Sequence, residues 1–152
     1  MDINEKLNEL NIQLPEAPKP IAVFVPTKRV GKVVYTSGAE CRIEGKLSYT
    51  GKLGDELSVE QGYKAARICM TNLLSMAKEE IGDLNNIKQF IKVTGFINSS
   101  PGFKQQPQVL NGASELLEEI FEKIGTHTRC AIATNELPGD SPIEIEMIFE
   151  LK

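Results

Sequence analysis

Residues 128–151 read TRCAIATNELPGDSPIEIEMIFEL, and two strands with a turn between them account for the whole stretch. Ile143, Ile145, Met147, Phe149 and Leu151 alternate with Glu144, Glu146, Ile148 and Glu150. A period of two puts the first set on one face of a strand and the second set on the other. Arg129 to Asn135 is a second β-prone run, and Leu137-Pro138-Gly139-Asp140 has the residues of a turn. A hairpin is the expected connection. It would lay the two strands side by side and bring Arg129 near Glu144.

Upstream, Ile87 to Asn98 also alternates, with Ile91, Val93, Gly95 and Ile97 on one side. Two helices precede and follow it. In the first, Ser58 and Gln61 have the spacing of a capping box, and Val59, Ala66, Met70, Leu73, Leu74, Ala77 and Ile81 form a core-facing stripe that ends at Gly82. In the second, Val109, Leu110, Ala113, Leu116, Leu117, Ile120, Phe121 and Ile124 share a face, and Gly125 is the expected stop. Ile21 to Val25 and Val33 to Thr36 predict an opening hairpin, and the polar stretch from Ala39 to Gly54 predicts a loop with one short strand near Leu47. Asp2 and Glu5 predict a short helix at the start, carrying Leu7, Leu10 and Ile12, before LPEAPKP breaks it into an extended arm.

The order β-β-α-β-α-β-β predicts an α+β fold, one mixed sheet with two helices on one face. Residues 1–152 read as one domain, in which 1–18 form the N-terminal helix and proline-rich arm. The second face of the sheet, with Phe90, Phe96 and Ile148, then needs a cover, and self-association is the cheapest one.

Composition narrows the function classes. The net charge is −4 and the longest cationic run is Lys28-Arg29, which speaks against nucleic acid as a partner, since phosphate binding needs clustered cations. Cys41, Cys69 and Cys130 lack a CxxC spacing and His127 is the one histidine, so no metal site is expected. The charged opening MDINEKLNEL is not a signal sequence, no run is long enough to span a bilayer, and a cytoplasmic location is the expectation. What remains for chemistry is Arg129, whose planar guanidinium can pair with a carboxylate, and Glu144. The plain alternative is a cross-strand salt bridge of little worth.

Three strings carry a family resemblance. TRCAIATNELPGDSPIEIEMI (128–148), VVYTSGA (33–39) and VLNGASELLEEIF (109–121) together resemble the reactive intermediate deaminase family, also called Rid, YjgF-like or endoribonuclease L-PSP-like, over roughly residues 19–152. The N-terminal helix and the loops around Lys46 and in NSSPGFKQQPQ make it similar to a longer branch. The resemblance implies a chorismate-mutase-like fold, a homotrimer and clefts between subunits. It implies hydrolysis of an enamine or imine, such as 2-aminoacrylate, to a 2-keto acid and ammonia, with no cofactor. By the same resemblance Arg129 holds the substrate carboxylate and Glu144 orients a water. Ser37, Gly38, Asn111 and Cys130 help form the cleft, the Cys130 thiol serving as a small core filler.

Two departures are visible. One extra residue separates Asn111 from Arg129, and Phe24 stands where the compact deaminases carry a Tyr, so the ring is kept and the hydroxyl lost. The second departure sustains an alternative, a non-catalytic protein that binds a keto acid or amino acid in the same cleft. A ribonuclease role is disfavoured by the acidic charge and the single histidine. His127, lacking a visible orienting partner, reads as an exposed edge residue.

Overall fold

A computed structural model describes residues 2–19 and 23–152. Its elements are α1 (Ile3–Glu9), β1 (Thr27–Val30), β2 (Val33–Thr36), β3 (Ala39–Glu40), β4 (Arg42–Ile43), β5 (Lys46–Leu47), α2 (Val59–Ile81), β6 (Ile87–Asn98), α3 (Gln106–Phe121), β7 (Thr128–Thr134) and β8 (Ile143–Leu151). The main sheet has the order β1-β2-β8-β6-β7, with β3 also paired to β8; β4 and β5 form a small separate hairpin.

The expected hairpin between the last two strands does not form. β7 pairs parallel with β6, and β8 pairs antiparallel with the other edge of β6. The reason is burial. β6 has twelve residues, and its Val93 and Ile97 are fully buried, so it gains most from a central place with a partner on each edge. β7 keeps Cys130 and Ile132 exposed and tolerates an edge. A parallel pair requires a crossover, which α3 supplies. The segment after β7 then crosses the end of β6, where buried Asn98 donates from Nδ2 to Asp140 Oδ1 and to the Ser141 carbonyl, each at 3.3 Å.

The opening hairpin is displaced from its expected place. β1 runs over Thr27–Val30, because a two-residue loop with Gly31 at φ 61° sets the register Val30↔Val33 to Thr27↔Thr36. Pro26 lacks the N–H that would continue the ladder. Val23 to Val25 are therefore not a strand, and Ile21 lies outside the described residues. After β2, Ser37-Gly38 interrupts the chain before it rejoins β8 as β3, pairing Ala39 with Ile145 and Glu40 with Glu144. The stretch expected to be a loop with one short strand near Leu47 holds that strand as β5, and β3 and β4 besides.

The helices follow their signals closely. Asp2 accepts from the amides of Asn4 and Glu5 at 2.7 and 3.3 Å. Both halves of the Ser58–Gln61 capping box are made, and Gly82 at φ 77° ends α2. α3 begins with Pro107 in its first turn and ends at Phe121, earlier than Gly125; a tight 3-10 turn fills Glu122–Gly125. α2 and α3 pack on one face of the sheet, and α1 adds Ile3 and Leu7 to the same core. Phe90, expected on the open face, is buried against Phe121 and Phe149, with centroids 4.8 and 6.2 Å away. Register shifts between Ile87 and Gln89 and between Phe90 and Lys92 turn its side chain inward. The open face does carry Tyr35 and Ile132, 46% and 42% exposed, beside half-buried Phe96 and Ile148.

Candidate functional site

Arg129 lies on the edge strand and points toward the helix layer. Its Nη1 donates to Ser114 Oγ at 3.1 Å and its Nη2 to the Pro107 carbonyl at 3.4 Å, both on α3. Around it Asn111, Ser114, Glu115, Glu118, Gly125, Thr126 and His127 line an open depression of about 340 Å³. A guanidinium has five N–H donors, and the two bonds to α3 leave others for a ligand.

His127 is not the exposed edge residue the sequence suggests. It is half-buried, with Nδ1 2.7 Å from the Gly125 carbonyl and Nε2 2.9 Å from Ser114 Oγ. Burial, assisted by the charge of Arg129, lowers its pKa against the pull of the Gly125 carbonyl and Glu118. Neither Ser114 nor this role of His127 was singled out from sequence. The usable signals were spacing: Asn111 and Ser114 lie three apart on a helix, and His127 and Arg129 two apart on a strand, so each pair shares a face.

Glu144 belongs to a different place. Arg129 is level with Val93, and Val93 with Met147, three residues from Glu144. Two strand spacings and three residues along put the two Cα atoms roughly 14 Å apart. The faces also differ, since Ile143 and Ile145 face the core on β8 and Glu144 faces away from it. Within one chain the expected Arg129–Glu144 neighbourhood does not exist.

Glu144 instead sits with Ser37 and Gly38. A side chain on Gly38 would overlap the Glu144 carboxyl, whose Cδ and Cγ would lie 2.8 Å from the added Cβ. Ser37 Oγ donates to the Val25 carbonyl at 2.7 Å, which holds the Phe24 segment beside this group; Phe24 is 51% exposed. Cys130 joins neither cluster. Its alternation with Arg129 turns it to the open face, exposed, with Lys92 Nζ 3.3 Å from Sγ, so the thiol is not a core filler.

Burial raises the Glu144 pKa, and the carboxylates of Glu40 and Glu146 push it the same way. Glu40 itself is paired with Arg42 at 2.6 Å; among the described residues no cation bridges Glu144. A carboxyl with a raised folded pKa favours the folded state while protonated and opposes it once ionised, so its contribution is lost as pH rises through that pKa. Glu144→Gln should therefore raise Tm at pH 7. The gain should shrink as pH falls below the ordinary carboxylate range, where wild-type Glu144 is also neutral. Calorimetric melts at pH 7 and pH 3.5 check this, and an equal gain at both values would remove the charge explanation.

The comparisons with known proteins agree with this architecture. The family described as "YjgF/chorismate mutase-like, putative endoribonuclease" matches residues 4–151. Protein TCP17 of Trypanosoma cruzi is 36% identical over 146 residues, covering 95% of this chain and 91% of its own length. The crystal structure of Atu1372 from Agrobacterium tumefaciens, described as having unknown function, superposes with a TM-score of 0.92 at 36% identity, covering 99% of this chain and 92% of that one. A "putative endoribonuclease" from Shewanella oneidensis MR-1 superposes with a TM-score of 0.96 at 32% identity, covering 99% of this chain and 100% of that one.

Proposed function

The chain belongs to the YjgF/chorismate mutase-like family, and on that footing we propose that it hydrolyses reactive enamine and imine intermediates to 2-keto acids and ammonia. The observation that carries the reading is the anchorage of Arg129. Two of its donors are committed to Ser114 and Pro107 on α3, and its fork borders an open depression. A carboxylate entering there finds a cation already oriented, so less freedom is lost on binding.

The chemistry asks little of the protein. 2-Aminoacrylate tautomerises to the imine of pyruvate. Water adds to the imine carbon, the carbon–nitrogen bond breaks, and ammonia leaves with the keto acid behind. Holding the carboxylate fixes that carbon relative to a water, and positioning is a large term in such a step. Glu144 is the group suited to orient and deprotonate the water, since its raised pKa brings it closer to the working pH of a base.

Because Arg129 and Glu144 lie on opposite faces and about 14 Å apart in one chain, the reading requires a second copy to bring its Ser37-Gly38-Glu144 cluster against the first copy's Arg129. The homotrimer suggested by the resemblance provides three such clefts. It also covers Tyr35, Phe96, Ile132 and Ile148 on the open face. A second reading, carboxylate binding without turnover, is favoured by Phe24, which lacks the hydroxyl of the tyrosine it replaces.

The test generates 2-aminoacrylate in situ and times keto-acid release with and without the protein, on material whose mass is measured by light scattering. The expected results are faster release and a particle of about three times the 16.8 kDa chain. A monomer at micromolar concentration would sink the intersubunit cleft. A trimer that binds keto acids without accelerating release would leave only the binding role.

A further inference from the structure

The hydrogen bonds around Arg129 run in one direction. The Gly125 carbonyl can only accept, so the 2.7 Å contact requires His127 Nδ1 to carry a proton. With Nδ1 protonated and the ring neutral, Nε2 has only a lone pair to offer. The 2.9 Å contact must then be Ser114 Oγ–H donating to Nε2. That turns the hydroxyl's lone pairs toward Arg129, whose Nη1 donates to the same oxygen at 3.1 Å. Each group determines the role of the next, from the end of the 3-10 turn to the guanidinium.

We propose that His127, acting through Ser114, is a positioning residue that sets the orientation of the Arg129 fork for a ligand carboxylate. The inference rests on the reading of Arg129 as a carboxylate binder and adds to it the reason the fork is presented. Arg side chains carry much rotamer freedom, and a fork held before the ligand arrives loses less of it on binding. Ser114 alone could rotate its proton toward Arg129 and repel it. The neutral imidazole on its far side removes that choice. Three elements meet in the chain: Ser114 on α3, His127 just before β7, and the turn that ends at Gly125. Gly125 fits there because a side chain would press on the Leu117 backbone, with the Leu117 carbonyl carbon 2.6 Å from the added Cβ.

The experiment has two arms on the full-length protein. His127 is the only histidine, so its ring nitrogens are unambiguous in a long-range proton–nitrogen correlation spectrum. At pH 7.5 the expected form is protonated at Nδ1 and bare at Nε2. The Nε2–H form overturns the proposal, because Ser114 would then have to accept from the ring. The second arm titrates 2-oxobutanoate calorimetrically into wild type, Ser114→Ala, His127→Phe, the double variant and Arg129→Ala. Losing one orienting bond should weaken binding about three- to tenfold. The double variant should lose no more than the worse single one, because the two groups act in series. Wild-type Kd in both single variants, with Arg129→Ala still impaired, overturns the positioning role and leaves the carboxylate site standing. Wild-type Kd in Arg129→Ala overturns both.

Discussion

Replacing Arg129 by Ala is expected to weaken binding of a small 2-keto acid at least tenfold in a protein that still folds. A carboxylate that leaves water for a cleft gives up hydration, and a guanidinium replaces it with charged, directional bonds. One such bond contributes about 1.5–3 kcal/mol, and a two-pronged pair can exceed that. About 1.4 kcal/mol corresponds to a factor of ten in Kd. Arg129→Lys retains the charge and loses the fork. It also loses one of the two anchoring bonds to α3, because a single ammonium cannot reach Ser114 and the Pro107 carbonyl with the same planar geometry. It should remain clearly impaired. The measurement is calorimetric titration, and folded Arg129→Ala that binds as wild type does would show that the residue only ties β7 to α3.

The second large effect is on stability and lies under the same site. Gly112 sits on α3 between Asn111 and Ala113, two residues before Ser114. Its backbone lies directly against α2. An added Cβ would overlap the Tyr63 carbonyl oxygen, with the carbonyl carbon at 2.9 Å and the Ala66 Cβ at 3.2 Å. The obstruction is backbone, which cannot swing aside as a side-chain tip can. Gly112→Ala ordinarily gains about 0.5–1 kcal/mol in a helix, because glycine loses more chain freedom on folding. Here the clash must exceed that gain, since forcing volume into a packed contact costs about 1–3 kcal/mol. The expected net loss is about 1 kcal/mol, or roughly 2–4 °C in Tm for a chain of this size.

Gly112→Val should be worse, since β-branching adds crowding against the same backbone. The two polar links flanking this contact, Tyr63 with Glu115 at 2.5 Å and Arg67 with Glu119 at 2.7 and 2.9 Å, would be stretched together. Thermal melts check the prediction. Unchanged melting of Gly112→Ala would mean that the helices separate at little cost.

Some parts of this architecture were open to reading from the chain alone. The α2 capping box, its glycine stop, the long apolar stripe of α3 and the Ile-Glu alternation of β8 are local patterns. Each depends on residues one to four positions apart, where helix and strand periodicities act directly. Arg129 stood out for a related reason: its chemistry is singular in a short β-prone run, whatever its neighbours.

Partner choice was decided by the tertiary structure. The turn residues at 137–140 suit a hairpin, yet β8 and β7 are separated by β6. A strand goes where the most apolar surface is removed from water, and that sum runs over the whole core. Moving β7 to the far edge took Arg129 away from Glu144. It gave Arg129 instead the Ser114 hydroxyl and the His127 imidazole, partners fifteen and two residues distant along the chain. The inward turn of Phe90 has the same character, because a bulge shifts register by one residue and reverses every face assignment beyond it. By itself the sequence determined which elements form and which charged groups are available. Only the packed fold, through competition among strands for the buried centre, decided which of those groups meet.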